Sequence, residues 1–375
     1  MSLSKALGHS LRRLTVAALS VLAAACATAP TEKVSIPALP APGTPPSTAA
    51  VAKVVEFRIA AVGDIMLGGS ATPEMQKYGY DYPFELLSPI LKQAQIVFGN
   101  LEGPLTDDGA AITTKQYLFR SPPDKVAPAL ARAGFNIVSL ANNHSLDYGA
   151  QGLDDTRAAL DKVGIRVIGA GRNLAQARAP VYMQAGGAKI AFLAYSLTFP
   201  EEFWATPDKP GTAFGHEHFV RADVAAARAQ ADIVLVSFHW GQEGKIDLRD
   251  YQVQLAHAAI DAGAVAVLGH HPHILQGVER YKDGVILYSL GNFVFGSYSA
   301  QATRSAIAML TFRDKRLSEL RMLPINVKNA EVVFQSKPLA GADANQVIEQ
   351  LQQMAQERGT LLRNHNGAAV LTLEN

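Results

Sequence analysis

Three histidines in four positions, His270-His271-Pro272-His273, form a cluster that is rare by chance. They follow an apolar run, Ala264–Leu268, that reads as a strand. Other apolar runs end alike: Asp64 after Phe57–Val62, Asn100 and Glu102 after Ile96–Phe98, Asn143 and His144 after Asn136–Leu140, and His239 after Asp232–Phe238. Polar groups are costly at a core edge unless they have a role there. Carboxylate, amide oxygen and imidazole together suit a borderline divalent cation: zinc, manganese or iron. Calcium would call for more oxygens, and a structural zinc for cysteines. Residues two apart on an extended chain share a side, so Asn100 with Glu102, and His271 with His273, are each expected to face one point.

Each signal alone has a plainer reading. Gly63-Asp64 reads as a turn with an Asx cap, Asn142-Asn143 as a left-handed turn pair, and a lone His239 as a satisfied buried histidine. Taken together, the strand ends point to a site. His216 and His218 read as loop surface, His257 as an exposed or capping helix residue, and His365 as part of the tail. Arg120, in Phe119-Arg120-Ser121-Pro122-Pro123, reads as an anion contact or a surface salt bridge. The chain has no Gly-x-Ser-x-Gly elbow and no P-loop lysine motif, and Gly169-Ala170-Gly171 lacks the third glycine of a dinucleotide fingerprint and reads as a turn.

The elements that must position these residues alternate. Helices are expected over Lys125–Ala133, Gly152–Val163, Ala222–Gln230, Tyr251–Ala262 and Ala344–Gln356. Further strands are expected at Ile165–Ile168, Val181–Met183 paired with Ile190–Tyr195 around Gly186-Gly187, Ala306–Phe312, Leu320–Val327 and Ala368–Leu373. Asp283-Gly284 reads as a hairpin turn between strands near Gln276–Arg280 and Val285–Ser289. Strand-helix alternation followed by a strand-rich last third predicts a layered α/β fold, a mixed sheet packed on a second sheet, with ligands at the carboxyl ends of strands.

The chain has 375 residues, 48% hydrophobic and 18% charged, with a formal net charge of +1. That composition is globular, and the charge argues against a nucleic-acid binder. Lys5, Arg12 and Arg13 precede a short apolar run, Leu14–Ala25, which has the form of a signal peptide. Leu22 to Cys26 resembles the lipobox of bacterial lipoproteins, with Ala23 where the pattern has a large aliphatic residue. The expectation is an exported lipoprotein facing periplasm or cell surface, anchored to the membrane at Cys26, its one cysteine. Residues 1–26 are then the signal, 27–52 a Pro/Ala-rich tether, 53–335 the main domain, and 336–375 a helix and strand completing it.

Gly63-Asp64-Ile65-Met66, Gly99-Asn100-Leu101-Glu102, Ala141-Asn142-Asn143-His144, His239-Trp240-Gly241, Gly269-His270-His271-Pro272-His273 and Ser289-Leu290-Gly291-Asn292-Phe293 occur in that order. The series resembles the CapA-like family named after poly-γ-glutamate capsule synthesis. It is similar, more distantly, to the calcineurin-like metallophosphoesterases. The resemblance covers roughly residues 57–300. It implies a four-layer α/β/β/α sandwich with one or two divalent metal ions (Mn, Fe or Zn) at its sheet edge. It implies metal ligation by Asp64, Glu102, Asn143, His239, His271 and His273, and proton donation by His144. Asn100, Asn142, Trp240, Glu243, His270, Asn292 and Arg120 would surround the metals or touch substrate. Met66 stands where the metallophosphoesterase pattern has a histidine, and Asn100 where it has a bridging aspartate. The implied chemistry is metal-assisted hydrolysis of a phosphoester or of a γ-glutamyl or cell-wall polymer. The alternative is a non-catalytic factor that binds or guides an anionic polymer, with capsule-synthesis machinery as partner.

Overall fold

Strands that are apolar on both faces belong in the middle of a layered structure. Glu56–Met66 is buried almost throughout, and Ile233–His239 and Ala266–His270 are buried at every residue. The computed structural model describes residues 54–373; the expected signal, Cys26 and the tether lie outside the described residues. One 10-stranded sheet has the main order Arg363–His365, Ala368–Thr372, Arg316–Asn326, Arg304–Arg313, Glu56–Met66, Ile96–Leu101, Ile137–Ser139, Arg166–Ile168. A 6-stranded sheet has the order Val278–Tyr281, Gly284–Leu287, Ala266–His270, Ile233–His239, Ala188–Ser196, Val181–Ala185. Within each sheet the motif-bearing strands pair in parallel, so their carboxyl ends share one edge.

Side-chain alternation builds three cores. Ile96 and Phe98 face Ile233 and Leu235 across the space between the sheets, where Phe98 stacks on Phe192 at 6.2 Å. Val97 and Val138 point the other way, onto Leu130 and Leu153 of helices Pro123–Ala133 and Gly149–Lys162. On the far side Val234 and Val236 meet Val224 and Leu255 of helices Glu217–Arg228 and Asp250–Asp261. The result is the expected α/β/β/α sandwich. Helix Gly341–Gln356 adds Val347, Ile348 and Leu351 to the core between the sheets.

Some local expectations change. The first strand does not stop at Gly63-Asp64 but runs to Met66, held by a parallel strand, Asn292–Phe295, that was not expected. The hairpin turn is Lys282-Asp283, with Lys282 at φ 53° and Gly284 already paired in its strand. Ala170-Gly171, read as turn, pairs with Gly211-Thr212. Among the described residues no helix is long and apolar enough to cross a membrane.

Candidate metal centre

Asp64 is flanked in register by Asn100 on one side and Asn292 on the other, and both ladders shift next to it. The strands crowd here: a Cβ on Gly63 would lie 1.8 Å from the Gly291 carbonyl oxygen, so only glycine fits. The fully buried Asp64 carboxylate accepts from Asn100 Nδ2 at 2.8 Å and from the His271 amide at 3.2 Å. His273 Nδ1 lies 3.2 Å from Asp64 Oδ2, and 2.9 Å from Asn292 Oδ1.

His271 and His273 reach the site by a different route from the expected strand alternation. Their strand ends at His270, and His271 and His273 take φ of 94° and 60° around Pro272. Such left-handed backbone is uncommon for a side chain with a Cβ and needs support from its surroundings. His270 stays in the strand with Nδ1 3.2 Å from Ser237 Oγ and Nε2 3.2 Å from the Val62 carbonyl, tying one sheet to the other.

Glu102, just past its strand, is buried, and its Oε1 has no hydrogen-bond partner. His239 Nε2 and His273 Nε2 stand 3.6 and 3.8 Å from that oxygen, beyond hydrogen-bond reach. His271 Nδ1 is also buried without a partner. Burying such atoms unpaired is expensive, and a cation among them would satisfy both. Two groups, Glu102–His271–His273 and Asp64–Glu102–His239, each bring their ligand atoms within 4.8 Å of one another, and Glu102 belongs to both. The donor set fits one or two divalent ions.

Asn142 shapes the loop beside them. Its Nδ2 donates to Asn100 Oδ1 at 3.1 Å and to the Leu101 carbonyl at 2.8 Å, while its Oδ1 accepts from the His144 amide at 3.1 Å. Asn143 Oδ1 lies 2.8 Å from His239 Nε2. His144 Nδ1 sits 2.7 Å from Asp147 Oδ2, with the Phe119 ring 4.6 Å away. Lys115 Nζ contacts Asp147 Oδ1 at 2.7 Å, His144 Nδ1 at 3.0 Å and the Asn143 carbonyl. Lys115 and Asp147 were not singled out from sequence. Asp147 offered one signal, its place three residues after His144; Lys115 lies in an irregular loop and offered none.

The charges follow from burial and crowding. Burial alone would raise Asp64, but contact with His273 outweighs it and holds the carboxyl below its ordinary value. Burial, then the Asp64 charge, pushes Glu102 well up. Burial, then His273, takes His271 down to about 3. Burial and His271 hold His239 well below the usual range. Burial opposes protonation of His273 too, yet Glu102 and Asp64 raise it to about 10. His239 and His271 are therefore neutral, the form that binds metal, while His273 carries a proton that a metal would displace. Burial lowers His144 although Asp147 pulls it up.

Two residues, Trp240 and Arg120, fall elsewhere, and Glu243 lies at the site's edge. Trp240 lies in the core beneath the outer helices, stacked on Phe238 at 4.6 Å and donating Nε1–H to the Tyr288 carbonyl at 2.8 Å. It follows His239 directly, so its side chain leaves the opposite face of the chain. Arg120 is exposed, on the Asp107 carbonyl at 3.3 Å and over the Tyr148 ring at 4.8 Å. Glu243 is exposed and lines a pocket to which His271 and Asn143 also contribute. His257, expected exposed or capping, is instead half-buried, its Nε2 2.8 Å from Glu279 Oε1 and its ring stacked 3.7 Å from Tyr281.

A family model described as bacterial capsule synthesis protein PGA_cap matches residues 58–297. The capsule biosynthesis protein CapA of Bacillus anthracis is 35% identical over 297 residues, covering 77% of this chain and 71% of that protein. The PGA biosynthesis protein CapA of Bacillus subtilis (strain 168) is 33% identical over 270 residues, covering 72% and 71%. Among solved structures, the NAD nucleotidase of Haemophilus influenzae aligns with 80% of this chain and 56% of its own at 15% identity and a TM-score of 0.46. That likeness is too remote to assign chemistry.

Proposed function

The chain belongs to the bacterial capsule synthesis protein family PGA_cap, and from that premise we propose that it is a metal-dependent hydrolase of the cell envelope. Its bond is a phosphoester or a γ-glutamyl or cell-wall polymer linkage in capsule or poly-γ-glutamate metabolism. The observation that carries the reading is the unpartnered Glu102 Oε1, buried at the junction of the two ligand groups.

Asp64, Glu102, Asn143, His239, His271 and His273 would hold the ions. Once bound, a divalent ion lowers the pKa of coordinated water and polarises the bond under attack. Asn292 Oδ1 fixes the His273 ring. His144, anchored through Nδ1 on Asp147, would give a proton from Nε2 to the leaving group in its imidazolium form, the form that the Asp147 carboxylate favours. Lys115 compensates the Asp147 charge beneath it.

A non-catalytic polymer-binding role is the rival, and one observation favours it. Asn100 Nδ2 stands 2.8 Å from Asp64 Oδ1, 3.4 Å from Glu102 Oε2 and 3.2 Å from His239 Nδ1, an amide donor among would-be ligands. Metal analysis of the purified protein, with a phosphodiester and γ-glutamyl substrate screen, separates the two. Asp64→Ala and His144→Ala abolish hydrolysis and leave polymer binding intact if the enzyme reading holds; a screen without turnover by the metal-loaded protein favours the rival. Export and an anchor at Cys26 belong to the same proposal and are supported by the sequence of residues 1–26; mass spectrometry of the mature N-terminus tests them by finding or missing the diacylglyceryl adduct.

A further inference from the structure

A pocket of about 590 Å³ adjoins the metal centre, with Asn143 and His271 in its lining. The rest of the lining is of another kind. Phe199 and Phe214 line it as well, and Phe199 is 69% exposed. Trp204 backs them, its ring 5.8 Å from Phe199 and 3.8 Å from Phe214, and its Nε1 donates to the Thr198 carbonyl at 3.0 Å. Tyr251 also lines the pocket, its hydroxyl already accepting from the Gly241 amide at 2.7 Å. Among the described residues, Glu243 is the one acidic side chain on the lining, and no lysine or arginine lines the pocket.

An exposed phenylalanine braced by a tryptophan is a platform for a flat or ring-shaped group. A carboxylate accepts hydrogen bonds from hydroxyls. Building on the hydrolase reading above, we infer that this pocket is a subsite for a neutral, hydroxyl-bearing ring, a sugar unit of the substrate, stacked on Phe199 with its hydroxyls toward Glu243. The scissile bond then lies at the His271 end. Sugar rings of this kind occur in glycans and in nucleosides.

The test uses the full chain loaded with manganese and calorimetric titration with three probes: N,N′-diacetylchitobiose, adenosine and tri-γ-glutamate. Binding of chitobiose or adenosine, weakened about tenfold in Phe199→Ala and weakened in Glu243→Ala, supports the subsite, and the preferred probe identifies the source of the ring. Preference for tri-γ-glutamate, neutral binding unchanged in both variants, or no binding of either neutral probe at millimolar concentration overturns it. Circular dichroism confirms that the variants fold. Metal content measured on the same samples separates the claims. Ring binding without metal uptake sinks the hydrolase reading alone, and metal uptake without ring binding sinks only the subsite.

Discussion

Two histidine–carboxylate groups lie against the second sheet, and they are finished differently. In one, His257 Nε2 meets Glu279 Oε1 at 2.8 Å, and Tyr288 donates to Glu279 Oε2 at 2.7 Å. Each carboxylate oxygen has its partner, and the group ties helix Asp250–Asp261 to the outer hairpin. In the other, around Glu102, one carboxylate oxygen and one imidazole nitrogen are buried with none. The first group is complete as protein; the second becomes complete only with a cation. Polar residue types alone do not distinguish them, since both pair histidine with glutamate. The distinction lies in which buried atoms remain unsatisfied.

The largest effect that would sharpen this contrast is on turnover. His144→Ala is expected to lower hydrolysis by about 10²–10⁴-fold while metal content stays at the wild-type level. Asp147→Asn should show a smaller loss, because the imidazole remains but its anchor weakens. If both variants hydrolyse at the wild-type rate, His144 has no part in chemistry.

Next comes pH. The folded-state pKa of His273 is raised to about 10, so its proton stabilises the metal-free fold fully below the unfolded value near 6.5, and that contribution is lost as pH rises through about 10. Metal must displace the same proton. Apparent metal affinity should therefore climb at least about tenfold per pH unit from neutrality, more steeply where the raised Glu102 carboxyl also gives up a proton, and level off near the folded pKa of His273. Calorimetry in buffers of differing ionisation enthalpy reads the released proton directly, and a pH-independent affinity would contradict the assignment.

Stability separates the two groups on a smaller scale. Glu279→Leu strands His257 and Tyr288 and should cost about 1–3 kcal/mol, seen as a lower Tm, with the metal-induced rise in Tm unchanged. Glu102→Gln should do the reverse. By relieving a crowded carboxylate it leaves the metal-free chain as stable or more so, and it removes the metal-induced rise. Arg120→Ala is the smallest case, within about 0.5 kcal/mol and without effect on metal uptake, since the exposed Arg120 side chain meets the Asp107 carbonyl and the Tyr148 ring rather than the ligand groups.

Much of this was legible in the chain. The apolar runs located the parallel strands, and Gly186-Gly187, with φ of 55° and 72°, turns its hairpin as expected. The strand ends pointed to residues that the fold gathers at one place, because parallel strands bring their carboxyl ends to one edge. What stayed hidden was set by tertiary geometry. The extension of the first strand past Gly63 depends on Asn292–Phe295 pairing from more than 200 residues away. His271 and His273 converge through left-handed backbone around Pro272 rather than through alternation. Lys115 reaches His144 from a loop with no periodicity. Trp240, by contrast, was readable: next to an inward His239 it had to point outward.

Metal stoichiometry tests the central claim most directly. Wild-type protein and Glu102→Gln, each equilibrated with manganese, iron or zinc and then desalted, are assayed for bound ion per chain by elemental analysis. The account predicts one or two ions retained by the wild type and a clear loss in the variant. Wild-type protein that retains none of the three, or a variant that retains as much as the wild type, contradicts it.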